Sequence, residues 1–270
     1  MTAAAKPFDR EAYWAERYRV IDITKSGHID LPVAYNRWLY RRKVECLMRD
    51  LRRAGFDPKG ASVLEIATGT GVYVEAWKRA GVARLVGIDI SQAATEALRV
   101  RFPEYAFHKR DLGEPGLAGL TGTGFDLVTA VDMVYHIVED DRFPVALANM
   151  AETVKPGGLL AIHDVFPHRQ ELDFGYLKLR TLENFTRALD AAGFDVVSRT
   201  PTFFVAVQTH DHLSDRAQAR MDAFWARAAY PVIQRAPGFA GAIAYAVDRA
   251  LGAFLREGPS FEMLICRKRG

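Results

Sequence analysis

A chain of 270 residues, 49% hydrophobic and 26% charged, has ordinary globular composition and stands near the upper size for one hydrophobic core. Its 36 basic and 33 acidic residues leave a formal net charge of +3, with the signs mixed along the chain, so no field suited to nucleic acid or a membrane surface arises. Cys46 and Cys266 lie far apart, without Cys or His at metal-ligand spacing, which implies a reduced setting without a zinc site. The N-terminal MTAAAKPFDREAYW lacks an apolar signal core, and the most apolar late stretch carries Asp248 and Arg249 at its middle. A cytoplasmic location and no membrane span are expected.

In chain order, residues 8 to 20 read as a short helix, and a second helix starts near Pro32 and runs to the Gly55 stop signal. Tyr40, Val44, Leu47 and Leu51 fall on one face of it. Strand-like runs follow at SVLEIA (62–67), RLVGIDI (84–90), YAFHK (105–109), FDLVTAVD (125–132) and GLLAIHDVF (158–166). Helical stretches separate them, which calls for a doubly wound, mostly parallel sheet. A helix from Leu182 to Ala192 stops at Gly193 and feeds FDVVSRT. After a GPS turn at 258–260, the antiparallel last strand is FEMLICRKR. Between these strands lies a helical insertion with Met221, Phe224, Trp225 and Ala228 at helical spacing. The expected organisation is an N-terminal helical lid (1–56), a Rossmann-like α/β domain (57–204 and 258–270) and the insertion (205–257).

The first strand ends in VLEIATGTG and leads into a helix. Glycines there permit a sharp turn and close approach of a ligand, with a helix N-terminus facing it. A dinucleotide site would prefer a third glycine where this chain has Val74, and the acid Glu65 inside the strand is foreign to that fingerprint. Asp89 closes the second strand, where a carboxylate accepts both hydroxyls of a ribose. It also stands where it would cap the next helix. HKRDL, FDLVTAVDMVYHI and VKPGGLLAIHDVF follow, and the run from Ser62 to Phe166 resembles the class I S-adenosylmethionine-dependent methyltransferases.

The resemblance implies that S-adenosylmethionine is the cofactor and S-adenosylhomocysteine the product. It implies that Glu65 with Ala67, Thr68, Gly69 and Gly71 holds the methionine part, that Asp89 with Ile90 holds the ribose, and that Asp111 with Leu112 meets the adenine. Asp111 also reads as a turn former before Gly113. The chain departs from the family at Ala67, usually glycine, where a methyl group is expected to demand a negative φ.

Methyl transfer is an in-line displacement that needs mainly alignment and exclusion of water, with a base only where the nucleophile must lose a proton. The strand ends direct attention to Asp132, placed with the cofactor residues, to Tyr135 and His136, and to His163 and Asp164, which neighbour each other on a strand and point to opposite faces. His136 and His163 are the candidate catalytic residues, an imidazole of near-neutral pKa being able to take a hydroxyl proton; either also reads as a packing residue. Arg37 on the apolar helix stripe is a candidate partner for the cofactor's carboxylate, or a snorkelling arginine. Trp14 and Tyr18 close over the cofactor or staple the first helix to the domain. His28, His108, His168, His210 and His212 read as solvated.

A small-molecule acceptor with an apolar body, methylated at oxygen, is expected, with N-methylation of a small molecule or peptide as the alternative. An NAD-dependent oxidoreductase and a non-catalytic cofactor-binding subunit are the rivals from other classes. No recognition module for nucleic acid is evident, and oligomeric state is not legible.

Overall fold

The computed structural model describes residues 8–20, 27–209, 211, 214–259 and 261–270; His210, His212 and Ser260 lie outside them. In chain order the elements are α1 (Arg10–Arg17), α2 (Val33–Arg53), β1 (Ser62–Ile66), α3 (Val72–Ala80), β2 (Arg84–Asp89), α4 (Gln92–Arg101), β3 (Ala106–Lys109), α5 (Leu117–Thr121), β4 (Phe125–Val131), α6 (Arg142–Thr153) and β5 (Val154–Val165). There follow β6 (Leu172–Asp173), β7 (Lys178–Leu179), α7 (Leu182–Ala191), β8 (Phe194–Pro201), α8 (Asp215–Phe224), α9 (Tyr230–Arg235), α10 (Pro237–Phe254) and β9 (Phe261–Lys268). Local chemistry sets many ends: Asp9 caps α1 by accepting from the Ala12 amide, Ser91 caps α4, and Gly81 ends α3 in the left-handed region.

Seven strands form one sheet in the order β3-β2-β1-β4-β5-β9-β8. β1 to β5 run parallel, while β9 is antiparallel to both neighbours, with Leu160 and Val196 facing Cys266 from either side. The chain order reverses at β1, between β2 and β4, which opens a crevice at the carboxyl ends of these strands. Apolar residues cover both faces. Leu147, Met150, Phe185 and Leu189 of α6 and α7 pack on one, and Leu47, Leu51, Trp77 and Leu98 of α2, α3 and α4 on the other. The KPGG segment lies inside β5 rather than before it. Phe125 faces Val154 and Leu127 faces Leu159, so these residues bulge out, with Gly157 at φ 73°.

The two N-terminal helices have different places, against the expectation of a joint lid. α1 lies across the strand ends, whereas α2 is built into the core through Tyr40, Leu47 and Leu51. The insertion is equally integrated. Trp225 and Ile233 pack with Leu31, Tyr35, Leu39 and Phe203 in a third core, and the chain passes from α8 to α9 through a five-residue π-helical stretch, Trp225–Ala229. Fully buried Asp248 of α10 accepts from the amides of Phe204 and Val205 at 2.8 Å, and Arg42 of α2 donates to the carbonyls of Thr202 and Asp248. A short turn in place of the insertion would therefore strip the cover from α2. Among the described residues no helix is long and apolar enough to cross a membrane.

Candidate active site

The loop after β1 is held by its own backbone and by β2. The Thr68 amide donates to the Ile88 carbonyl at 3.1 Å, and the Gly69 amide donates to Asp89 Oδ2 at 2.8 Å. Ala67 sits at φ 56° and Gly69 at φ 50°, so the expected negative φ at Ala67 is overturned. The methyl group costs about 1 kcal/mol in the left-handed region, and the loop's bonds impose the conformation regardless. Gly71, at φ 80°, does not line the cleft. A Cβ there would lie 2.6 Å from Leu98 Cδ2, so this glycine permits α3 to pack on α4 instead of admitting a ligand.

Asp89 lines the cleft, and its Oδ1 also accepts from the Ser91 amide at 2.9 Å. Each oxygen keeps a second acceptor site for a ligand hydroxyl. Burial raises its carboxyl to about 6, the backbone bonds from Ser91 and Gly69 opposing. Asp111 lines the cleft as well. Its Oδ1 accepts from the Gly113 amide at 2.8 Å, and its Oδ2 meets Arg142 at 2.8 Å and Arg10 of α1 at 3.3 Å. Thr68, Gly69, Ile90 and Leu112 line the same cleft with Ala67, while Trp14 of α1 and Tyr18 at its C-terminal end stack on each other with ring centres 5.2 Å apart and line it too. The hydroxyls of Thr68 and Tyr73 are buried there without a hydrogen-bond partner among the described residues. Carboxylates with spare acceptor sites, unpaired hydroxyls and apolar Ile66, Ile88 and Ile137 suit a ligand with a ribose, an aromatic base and a polar tail.

Two expected cofactor residues are elsewhere. Glu65 does not line the cleft: its Oε2 accepts from the Trp77 indole at 2.7 Å and from the Thr129 hydroxyl, while its Oε1 is buried without a partner among the described residues. Burial raises its carboxyl to about 7 against those two bonds. Arg37 is exposed and lines no part of the cleft, because its position falls just beyond the buried arc of α2. Arg42 of α2 turns in toward the insertion, and the basic residue that α2 turns toward the strand ends is Lys43, paired with Asp132. It too interrupts the apolar stripe, so the argument applied to Arg37 would have found it six residues later.

Asp132 follows β4 at φ 55°, a conformation aspartate tolerates better than most residues. Its amide donates to the His163 carbonyl at 2.8 Å, and its Oδ1 bonds His163 Nδ1 at 2.6 Å. Burial alone would raise the Asp132 carboxyl, but the Lys43 ammonium and His163 outweigh it and hold the group well below the usual carboxylate range. Burial lowers the pKa of His163. Its Nδ1 is taken up by Asp132, and its Nε2 is buried and, among the described residues, unpartnered. His163 touches neither the cleft nor the cavity beyond it, so its expected catalytic role gives way to that of a support behind Asp132. Asp164 points the opposite way, as expected, accepting from the Tyr135 amide at 3.1 Å.

Beyond the cleft lies a second cavity of about 430 Å³, walled by α1, the 27–30 loop, the β6–β7 hairpin and the segment entering the insertion. Trp14, Asp132 and His136 line both spaces. His136 Nδ1 lies 3.3 Å from the Tyr176 carbonyl, and its ring meets Trp14 edge-on at 5.2 Å. Burial lowers its pKa to about 4, against the bond to Tyr176, so the near-neutral value expected for a base is not present. Neither aromatic residue singled out in the insertion lines the cavity: Trp225 is core and Phe224 is exposed, while Tyr230 forms wall. His28 also lines the cavity, and His168 bonds Asp211 through Nδ1 at 2.6 Å, so neither is simply solvated. His168, Glu257 and Glu262 bring metal-ligand atoms together, but Arg199 already pairs with both glutamates there.

A glycine loop, a strand-two acid and a strand-three acid around one cleft at the switch point define a Rossmann-like enzyme that binds a nucleoside cofactor. Residues 40–199, more than half of the chain, match the model of a methyltransferase domain family. The chain belongs to this family, whose members here are S-adenosylmethionine-dependent methyltransferases of class I. Over 190 residues it is 30% identical to a ubiquinone biosynthesis O-methyltransferase of Rhizobium rhizogenes, covering 59% of this chain and 73% of that enzyme. Over 107 residues it is 34% identical to a dTDP-4-amino-2,3,4,6-tetradeoxy-D-glucose N,N-dimethyltransferase of Saccharopolyspora spinosa, covering 39% of this chain and 41% of the relative. Thus it spans about two fifths of that second relative. The fold is shared with the 1,6-didemethyltoxoflavin-N1-methyltransferase of Burkholderia thailandensis, 14% identical at a TM-score of 0.56, covering 99% and 94% of the two chains.

Proposed function

We propose that the chain transfers the methyl group of S-adenosylmethionine to a small-molecule acceptor held in the second cavity. The observation that carries this reading is that Trp14, Asp132 and His136 line both the cleft and the cavity. Asp89 receives the ribose hydroxyls, Asp111 and Leu112 bound the adenine end, and Thr68, Gly69 and Tyr73 face the remainder. When bound, the cofactor supplies an electrophilic methyl group on a sulfonium. The chain's own part is to align the acceptor with that methyl across the shared wall, while α1 excludes water through Trp14 and Tyr18.

The names of both relatives describe small-molecule methylation, which supports the acceptor class. An open cavity speaks against a non-catalytic cofactor-binding subunit. Val74, fully buried where a dinucleotide fingerprint would have its third glycine, speaks against NAD. The preference for oxygen rested on the frequency of O-methylation among such enzymes and on a histidine base of near-neutral pKa, and His136 does not supply the second support. The test is mass spectrometry of a small-molecule library incubated with enzyme and S-adenosylmethionine. Enzyme-dependent gain of one methyl group by a library member is expected; methylation of none, alongside tight binding of NAD, would overturn the reading.

A further inference from the structure

Resting on that reading, we infer that the acceptor presents a basic amine nitrogen to the methyl group, lodged against Asp132 in the second cavity. The charge of the wall is the first ground. Among the described residues, Asp30, Asp132 and Asp211 line the cavity against a single guanidinium, that of Arg17. Lys43, the partner of Asp132, stands outside the lining, over the rings of Tyr40 and Phe203 at 5.6 and 5.8 Å. Asp132 therefore borders the cavity, while the Lys43 and His163 that bond its two oxygens do not. Arg17 is engaged with the Tyr13 hydroxyl at 2.8 Å and the Gly27 carbonyl at 3.2 Å. The rest of the wall is rich in rings, including Trp14, Tyr135, Phe174, Tyr176, Tyr230 and Phe261. Carboxylates among aromatic faces form a lining that favours organic cations.

The direction of charge flow is the second ground. A neutral amine attacks the methyl carbon with its lone pair, the carbon–sulfur bond breaks, and the bond pair stays on sulfur as the neutral thioether of S-adenosylhomocysteine. Positive charge thus passes to nitrogen, beside a carboxylate that stays ionised, and the surplus N–H proton leaves to solvent. An anion at that spot stabilises charge developing on nitrogen. For an alkoxide or phenolate it does the reverse, because a like charge disfavours ionisation of the nucleophile. The ammonium form that the wall favours first gives up a proton to solvent, and the free amine so formed needs no base for the attack, whereas an alcohol would need one stronger than His136. The positive φ at Asp132 fits this use: a sparsely populated conformation is held by the His163 carbonyl and ring.

The test compares three probes of one shape, 2-phenylethylamine, 2-phenylethanol and phenylacetate, titrated calorimetrically into enzyme saturated with S-adenosylhomocysteine. The amine is expected to bind about tenfold or more tighter than the alcohol, and the carboxylate weakest. Asp132→Asn or, independently, Asp211→Asn should shrink the amine's advantage without changing affinity for the alcohol. An alcohol or carboxylate that binds as well as the amine, or no measurable binding of the amine, overturns the inference. Failure of S-adenosylhomocysteine to bind would instead strike the methyltransferase reading itself, so the two failures are separate.

Discussion

The cleft and the cavity beside it are built by different means, although they share a wall. Most of the strand-end side of the cleft comes from residues 66–70, 72–73, 88–90 and 110–112, and much of its geometry is backbone: the 67–71 turn, the amides of Gly69 and Ser91 on Asp89, and the amide of Gly113 on Asp111. The cavity is assembled from α1, a loop before α2, a two-residue-strand hairpin and the start of the insertion, and its character comes from side chains. Sheet and backbone bonds fix the first, while the second depends on packing between distant segments, which frees it to change with the acceptor. The difference can be broken or sharpened by lesions placed on one side only.

The largest expected effect is on the cavity side. Asp248→Ala leaves the part-buried amides of Phe204 and Val205 without their acceptor and should cost roughly 2 kcal/mol of stability. Denaturant unfolding measures the loss. Transfer to an acceptor should fall, yet the folded fraction should bind S-adenosylhomocysteine within about twofold of the parent, since no cleft residue is touched.

On the cofactor side the expected effect is a pH dependence. Asp89 has a folded pKa raised from 3.8 to about 6, so without ligand its contribution to stability is full below the unfolded value and is lost as pH rises through the folded one. Ribose binding calls for the ionised form. Affinity for S-adenosylhomocysteine should therefore fall about tenfold between pH 7 and pH 5, and Asp89→Asn should flatten that slope in a calorimetric series.

A smaller effect is expected at the wall itself. With its pKa lowered to about 4, His136 is neutral throughout the physiological range. His136→Gln should lower turnover by less than about tenfold, below the usual scale of a lost general base, and should introduce no new ionisation between pH 6 and pH 8. The smallest effect is at Ala67, where glycine relieves the left-handed strain. Ala67→Gly should add at most about 1 kcal/mol of stability, offset in part by the greater chain entropy of glycine.

The sheet was legible because its strands are apolar runs set between helices, and β1, β2 and β4 end within a residue of where the pattern places them. Asp89, Asp111 and the Ala67–Gly69 turn were legible because each sits at a strand end, where topology leaves one direction open. Glu65 lies outside the cleft lining because one of its oxygens is taken up within the fold. The indole of Trp77, twelve residues on, is a partner that spacing does not reveal. Gly71 invites a ligand reading in any glycine loop, and contact with α4 alone shows its packing role. The hairpin of β6 and β7 escaped notice because strands of two residues carry no periodicity. Lys43, Asp132 and His163 come from three elements, and their meeting depends on the packing of α2 over β4 and β5.

The central claim, that the strand-end cleft binds S-adenosylmethionine through Asp89, is tested most directly by calorimetric titration of S-adenosylhomocysteine and of NAD into the parent protein and Asp89→Ala. Binding of S-adenosylhomocysteine to the parent, no binding of NAD, and a loss of affinity on the order of 100-fold in a still-folded Asp89→Ala are expected, the scale of two charge-assisted hydrogen bonds. Equal affinity in parent and variant, or preference of the parent for NAD, would contradict the account.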